Sequence, residues 1–492
     1  WKYGLLATGD GIRSRLARGN SIVLALIIAS AGVIATSGVA FHDYHEIQPN
    51  PVSAPRAHMP NVILLSIDTL SAVDMSLYGY ALRTTPKLSA FANESYTFDH
   101  FFSSSNWTTP TVASFLSGLY PATNGVHQSH SYFLQDDRKK NLGQALKDNG
   151  YQTAAVVANS YAHPLLLRIA DGFSATTESP EEKYLASDPL FRILLRLKDY
   201  GTALWLPNTV SWTLSRDDEN SLFPPELIFD RTLPFFSSLK PPYFVWAHIF
   251  PPHSPYLPAA PFKYQFGNFT EFSKLKDYDG YPGTYPSELQ SQIDKIRLRY
   301  DEFILDTDAR VGAFLDKLKA LGRFDDSIII VTADHGESFT KNVYGHNGPL
   351  LHQPLIHIPF LVHLPGQKEG KRIPYYAGQV DLLPTVMDLL DLPIPNWVQG
   401  ESLKPAMLDG KPTSLPKFSM NLDLDSRFAP PTKGTFAVMQ DGWKLVRYLA
   451  TGKEELYHLA ADPGEMADAA SDHPEQVKKM RGLIDAHFNL TD

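Results

Sequence analysis

The sequence contains no cysteine. A disulfide framework, a thiolate metal site and a thiol nucleophile are therefore all excluded, while the redox compartment stays open, because a cysteine-free chain is stable in either. Positive charge is also short, with 44 Lys and Arg against 53 Asp and Glu and a formal net charge of -9. No basic stripe stands out, so a nucleic-acid partner, which needs a concentrated excess of Lys and Arg, is not expected. Internal repeats of 20–50 residues are missing too, which excludes a solenoid or propeller. What the 492 residues do have is 43% hydrophobic side chains, enough for one large domain or two ordinary ones with substantial cores.

Charge disappears between Arg18 and Asp43, and residues 22–41 (IVLALIIASAGVIATSGVAF) are long enough to cross a hydrocarbon core of roughly 30 Å as a helix. One transmembrane helix is expected at 21–41, after an N-terminal segment at 1–20. A buried core helix and a cleaved signal sequence are the alternatives, and the run is long for either. Lys2, Arg13, Arg15 and Arg18 precede the run and the next basic residue is Arg56, so the N-terminus is expected in the cytoplasm. That implies a single pass through a cell (inner) membrane, with the remainder periplasmic or extracellular. Ala25, Ala29, Gly32 and Thr36 place small residues near one another, which would let the helix of a membrane-protein partner pack closely, and ordinary small residues in a lipid-facing span explain them equally well.

Residues 42–59 carry three prolines and no apolar period, as a linker would. Buried parallel strands are then expected at 62–67, 153–157, 243–248, 327–332 and 360–363, with helical patterns between several of them, so the fold class is α/β with a mostly parallel central sheet flanked by helices over residues 60–400. Residues 288–321 have apolar side chains at helical spacing, with Gly322 as the stop. Residues 174–240 show no clean period and read as an insertion or lid. Short antiparallel strands at 436–439, 444–448 and 455–459, with an Asp441-Gly442 turn, and a helix at 474–488 make a smaller α+β unit at 401–492, packed against the main one.

In open parallel sheets the ligand site lies beyond the carboxyl ends of the strands. Asp68 ends one apolar run, Asp334 and His335 end another, and His248 ends a third. Two carboxylates and an imidazole converging there would repel and be desolvated without a cation, so a divalent metal is suggested, although an Asp at a strand end is more often a cap or turn residue. Thr108 and Thr109 precede Pro110, which suits the first turn of a helix over 111–117 that stops at Gly118. At a helix start Thr108 would meet partial positive charge that favours an alkoxide and an incoming anion. The alternative is that Thr108 or Thr109 merely caps that helix.

Several segments in order carry a family resemblance: Ile67-Asp68-Thr69-Leu70, SLYGYALRTTPKLSAFA, Thr108-Thr109-Pro110-Thr111 with ASFLSGLYP, and Phe250-Pro251-Pro252-His253-Ser254-Pro255-Tyr256. Ala333-Asp334-His335-Gly336-Glu337, Gly345-His346, VDLLPTVMDLL and ELYHLAADPGE follow. From Asn61 onward the chain resembles the sulfatase branch of the alkaline phosphatase superfamily. The resemblance implies a single divalent metal held by Asp68, Thr108, Asp334 and His335, with Thr108 becoming covalently esterified and His253 and His346 contacting the transferred group or its leaving oxygen. Zinc or manganese suits such donors better than an all-oxygen calcium site, with calcium and magnesium left open.

True sulfatases convert a cysteine or serine to formylglycine and place an arginine shortly after. Here those positions are Thr108 and Val112, so formylglycine cannot form. Ser71-Ala72-Val73 also stands where an arginine often follows the first metal aspartate. Threonine at 108 and Asp-His-Gly-Glu-Ser at 334–338 are similar to the phosphoethanolamine and phosphoglycerol transferases, which implies a membrane lipid as partner and a phosphoester substrate. A sulfate-ester hydrolase without formylglycine and a catalytically silent subunit of a membrane complex are the alternatives.

Overall fold

The computed structural model describes residues 59–128, 131–176, 225–267, 283–346 and 348–490. The expected transmembrane helix, the segment before it and nearly all of the linker lie outside those residues, as does the bulk of the 174–240 region. Among the described residues no helix is long and apolar enough to cross a membrane.

In chain order the strands of the first part are β1 (Asn61–Ile67), β2 (Tyr96–Phe102), β3 (Gln152–Val157), β4 (Ala175–Thr176), β5 (Tyr243–Ile249), β6 (Gly283–Thr284), β7 (Ser327–Ala333), β8 (Val343–Tyr344), β9 (Phe360–His363) and β10 (Lys371–Gly378). Eight form one sheet in the order β10-β2-β9-β7-β1-β5-β3-β4, and β6 pairs with β8 separately. The central strands β1, β5 and β7 (NVILLSI, YFVWAHI, SIIIVTA) are buried at every residue, which is why they read as runs and not as alternation.

All neighbours in this sheet are parallel except β9, which is antiparallel to both β2 and β7. The expectation of a parallel strand at 360–363 is therefore corrected in direction. A four-residue apolar run carries no directional information, and the connection from β7 holds no α-helix longer than Gln353–Ile356, whereas a parallel return usually carries a crossover helix. The two-residue strands β4, β6 and β8 and two longer strands were not expected. β2 (YTFDHFF) interleaves Asp99 and His100, and β10 (KRIPYYAG) is an edge strand with exposed charge and a proline.

The helices that matter for the site are α1 (Pro86–Ala92), α2 (Thr108–Ser117), α3 (Gln290–Ala320), α4 (Leu382–Leu389) and α5 (Pro474–Phe488). α3 buries its apolar stripe together with Asp301, Glu302, Asp306 and Asp308. Asp308 caps α1 from a distance, accepting the N–H groups of Lys87 at 2.7 Å and Leu88 at 2.8 Å, because Thr85 at the helix start makes no side-chain cap.

Asp301 accepts the Tyr80 hydroxyl at 2.9 Å. Burial, then the nearby Asp74 charge, pushes its carboxyl up to about 8. The unfolded chain titrates this group near 3.8, so the folded state holds a proton that the unfolded state releases. Its contribution to stability is complete below about pH 4 and is lost as pH rises toward about 8. Asp301→Asn keeps an acceptor for Tyr80 and is expected to flatten the fall in Tm over that interval. A Tm profile identical to that of the unmodified protein would contradict the protonated state.

The last part is a four-stranded antiparallel sheet, β11 (Lys417–Asn421), β12 (Thr435–Gln440), β13 (Trp443–Tyr448) and β14 (Lys453–His458). Three of these strands and α5 match the sequence reading, and β11 (KFSMN) is the addition. Val477, Met480 and Ile484 of α5 cover one face, against Met420, Phe436, Val438 and Leu445. The other face, with Ala437, Met439 and Val446, packs on Phe102, Leu351 and Leu355 of the first part.

Between the two parts lies a fully buried ion pair, Lys444 Nζ to Glu465 Oε1 at 2.5 Å, whose second carboxylate oxygen accepts the Gln353 N–H at 2.8 Å. Lys444→Met is expected to cost about 3–5 kcal/mol in a urea titration, since it strands a buried carboxylate. Adding Glu465→Met should recover most of that loss. A single-variant cost no greater than the double would show that the pair is not electrostatically coupled.

Candidate metal centre and nucleophile

Parallel strands deliver the site residues to one edge of the sheet. Ser66 of β1 lies opposite His248 of β5, and Ile67 lies opposite Ala333 of β7. Asp68 and Asp334 thus leave neighbouring strands side by side. Their own N–H groups continue the ladder, to Ile249 O at 3.0 Å and Ile67 O at 3.3 Å.

Asp68, His248 and Asp334 are fully buried, and each offers one ligand atom within 4.8 Å of the other two. His335 Nε2 lies 3.7 Å from Asp68 Oδ1 and 3.6 Å from Asp334 Oδ2. The facing atoms Asp68 Oδ1, Asp334 Oδ2 and His248 Nε2 have no hydrogen-bond partner. Every far atom has one. Asp68 Oδ2 accepts Asn159 Nδ2 at 2.6 Å, and Asp334 Oδ1 accepts the N–H groups of Thr69 at 3.1 Å and His335 at 2.7 Å. His248 Nδ1 meets Ser66 Oγ at 2.9 Å, and His335 Nδ1 meets Gly336 O at 2.9 Å. Bare atoms converging while their far sides are fixed is the pattern that orients ligands toward a metal, so the residues fit one divalent ion.

The electrostatics agree. Burial, then the Asp68 charge, pushes the Asp334 carboxyl up to about 7. Burial also acts upward on Asp68, but the His253, His248 and His335 rings outweigh it and hold that carboxyl below the usual range. Burial lowers His335 below the ordinary histidine value, the direction that favours the neutral ring a metal ligand needs. Among the described residues neither carboxylate pairs with a lysine or arginine, leaving only imidazoles and a cation to balance them.

Thr69, between Asp68 and the next turn, has φ of 55°, a left-handed conformation that is unfavourable for a β-branched residue. Tyr300 holds it there, donating its hydroxyl to Thr69 O at 2.6 Å and accepting the Ser71 N–H at 3.1 Å. The strained turn is what aims the Thr69 N–H at Asp334.

α2 begins at Thr108, earlier than its sequence pattern, and ends at Gly118 with φ of 70°. Trp107 occupies the cap position without a side-chain cap bond. The Thr108 hydroxyl instead lies 3.3 Å from His335 Nε2, and the Thr109 hydroxyl donates to Tyr161 O at 3.0 Å. Neither threonine caps the helix, and only Thr108 faces the carboxylates. With Nδ1–H of His335 donated to Gly336 O, its Nε2 lone pair is directed at the Thr108 oxygen.

His346 and His253 complete the cluster. The His346 ring lies 4.5 Å from that of His335 and 5.1 Å from that of His253, centroid to centroid. Glu337 Oε1 holds His346 Nδ1 at 3.0 Å, while His253 Nδ1 bonds Ser254 O at 2.6 Å and its ring stacks on Phe250. In each ring the remaining nitrogen is left for other partners.

Side chains that sequence reasoning missed hold this arrangement. Asn106 Nδ2 donates to the carbonyls of His346, Gly348 and Leu350 at 3.0–3.2 Å, and Asn421 of β11 donates to Asn106 Oδ1 at 2.9 Å. Gln379, after β10, accepts the Ser104 N–H at 2.8 Å and donates to Asp334 O at 2.5 Å, tying the nucleophile loop to the metal loop. Asn159 ends the run QTAAVVAN and was findable by the strand-end rule that picked out Asp68. The others are ordinary polar residues until the loops meet. His248 was noticed at its strand end but left out of the ligand set, and its unpartnered Nε2 now adds it as a candidate.

An α/β sheet that gathers two carboxylates, two imidazoles and a helix-start hydroxyl at one edge defines a protein of metal-assisted ester chemistry. The family model described as Sulfatase matches residues 60–392, and the model of the N-sulphoglucosamine sulphohydrolase C-terminal region matches 346–486. The chain belongs to the sulfatase family, whose members are metal-dependent ester hydrolases and which has neighbours in the alkaline phosphatase superfamily. It is 23% identical over 462 residues to the multifunctional alkaline phosphatase superfamily protein PehA of Trinickia caryophylli, covering 79% of this chain and 86% of that protein. It is 24% identical over 478 residues to N-acetylgalactosamine-6-sulfatase of Canis lupus familiaris, covering 87% and 85%. Among solved structures, the phosphonate monoester hydrolase of Agrobacterium radiobacter superposes with a TM-score of 0.65 at 20% identity, over 87% of this chain and 96% of that one.

Proposed function

We propose that the protein is a membrane-anchored, metal-dependent phosphotransferase or phosphodiester hydrolase that works through a covalent phosphothreonine at Thr108, on a phospholipid head group or a cell-envelope glycan. The observation that carries this reading is the Thr108 hydroxyl at a helix start, 3.3 Å from His335 Nε2 and beside the paired carboxylates. Asp68, Asp334, His335 and Thr108 would hold the ion, with His248 as a further ligand. Their oxygen and nitrogen donors suit zinc or manganese. The ion, when bound, lowers the pKa of the hydroxyl and offsets charge on the transferred group.

With its proton released to solvent, Thr108 Oγ1 attacks phosphorus, the bond to the leaving alcohol breaks, and His253 or His346 donates a proton to the departing oxygen. Water or an acceptor alcohol then attacks the phosphothreonine, the P–Oγ1 bond breaks to restore the Thr108 oxygen, and the same histidine takes the proton of the attacking group. That neither carboxylate has a lysine or arginine partner among the described residues favours a substrate group with a single negative charge, such as a diester, over a phosphate monoester dianion. Residues 22–41 would anchor the chain in the cell membrane with the catalytic part on its outer side.

Sulfate-ester hydrolysis is the second reading, favoured by the two family models and by the name of the N-acetylgalactosamine-6-sulfatase relative. A sulfate monoester is also monoanionic, and Thr108 would then have to act without formylglycine. Parallel turnover of bis-p-nitrophenyl phosphate and p-nitrophenyl sulfate by zinc- or manganese-loaded protein separates the two. Preference for the diester, with phosphothreonine trapped at residue 108, is expected, and exclusive turnover of the sulfate would overturn the first reading.

A further inference from the structure

Large apolar side chains that stay in water are few in a folded chain, and where they gather they mark a contact surface. Leu134, Tyr161, Leu166, Leu424 and Phe428 are 43%, 41%, 47%, 72% and 79% exposed. They sit on three loops that touch one another. Phe133 N–H donates to Leu167 O at 3.2 Å, Arg427 Nη2 to Tyr132 O at 2.8 Å, and Gln128 Nε2 to Asp423 O at 2.5 Å.

The same loops border the nucleophile. Tyr161 O receives the Thr109 hydroxyl, and β11 runs beside Ser103 and Ser104 before Asn421 bonds Asn106, so the loop that follows β11 emerges at the edge where Thr108 lies. In a chain of net charge -9 this border also carries two guanidinium groups over one ring, Arg168 at 3.5 Å and Arg427 at 5.6 Å from the Tyr132 centroid. The loops' acidic side chains, Asp136, Asp137, Asp171, Asp423 and Asp425, are offset by their lysines and arginines, so the border is near neutral in an acidic chain, and exposed aliphatic and aromatic side chains on such a border suit the interface of a bilayer, where they enter the acyl boundary.

We infer that these three loops form a rim that seats on a lipid surface, so that Thr108 meets its ester at the bilayer. This rests on the membrane-anchored reading. The occupant is a bilayer and not a soluble partner because the same chain carries the uncharged apolar run 22–41. Only residues 42–58 separate it from the described part, a tether reaching ~55 Å at about 3.3 Å per residue. β1 enters at Asn61, on the edge opposite the site, and its seven residues span only ~23 Å. The tether is therefore long enough to let the site edge face the membrane.

The absence of cysteine makes the test direct. A polarity-sensitive fluorophore is placed at Leu166→Cys or Phe428→Cys in the full chain, reconstituted in phosphatidylethanolamine–phosphatidylglycerol vesicles. Leu321→Cys and Leu408→Cys are the controls. They match Leu166 in exposure, but Leu321 follows α3 just before β7 begins, and the neighbouring Met407 O meets Lys371 at the start of β10, so both lie at the opposite edge.

Blue-shifted emission quenched by brominated lipid at 166 and 428, with water-like emission at 321 and 408, is the expected result. Water-like emission at 166 and 428 in protein that floats with the vesicles overturns the rim while leaving the anchor intact. Failure to float overturns both. A change at 166 and 428 that needs an added glycan or protein, and not lipid, also overturns it. Leu424→Asp with Phe428→Asp should lower turnover of a vesicle-embedded phosphodiester at least tenfold and leave bis-p-nitrophenyl phosphate turnover unchanged. Equal loss on both substrates would show a role in the reaction centre and not at a membrane.

Discussion

Thr108→Ala is expected to lower phosphodiester turnover by about three orders of magnitude or more while leaving the Tm of the metal-free protein close to that of the unmodified one. The two halves of this result have separate causes. The hydroxyl makes a single side-chain contact, with His335 Nε2, and it does not cap α2, so little folding energy is lost with it. Its chemistry cannot be taken over by a neighbour, because the Thr109 hydroxyl is turned away to Tyr161 O. Thr108→Ser should retain activity and be labelled at residue 108 when the reaction is quenched in acid. If alanine at 108 turns over the diester at an undiminished rate, the covalent route is wrong.

Asp334→Asn should separate stability from function in opposite directions. In metal-free protein the Asp334 carboxyl titrates near 7, because burial and the Asp68 charge both disfavour its ionised form. An asparagine keeps the oxygen that accepts the Thr69 and His335 N–H groups and turns an N–H toward the unpartnered Asp68 Oδ1. The metal-free variant should therefore melt higher than metal-free unmodified protein at pH 8, by roughly 1 °C for each kcal/mol gained in a chain of this length.

Zinc or manganese at 100 to 1,000 times its Kd should add about 2.7–4.1 kcal/mol to the unmodified protein and far less to the variant. Since the ion must displace a proton from Asp334, its affinity should fall as pH drops below about 7. Equal metal stabilisation of both proteins in calorimetry would remove Asp334 from the ligand set.

Legibility in the sequence followed the range over which each cause acts. β1, β5 and β7 were readable because burial on both faces makes them continuous apolar runs, and α3 because its stripe repeats over many turns. Asp68, Asp334 and His335 stood out because topology sends polar residues at the ends of parallel strands to one place, and Thr108 because it precedes Pro110 at a helix start in a segment that carries the family resemblance. β9 kept its bounds but not its direction, which depends on how the chain returns from β7. Gln379, Asn106 and Asn421 stayed invisible since each works by bridging segments far apart in the chain. Whether Thr108 or Thr109 faced the carboxylates was decided only by the rotation of α2 about its axis.

The asparagine bridge from β11 to the start of α2 bears on how this chain can be recombined with its relatives. A chimera that joins one member's first four hundred residues to another's last ninety would import Asn421 from one parent and Asn106 from the other, and with them half of the support beneath residue 108. Such hybrids should fail in catalysis before they fail in folding, unless both asparagines travel together. The last fifth of the chain is coupled to the candidate site, and the boundary that looks natural in the strand pattern is a poor place to cut.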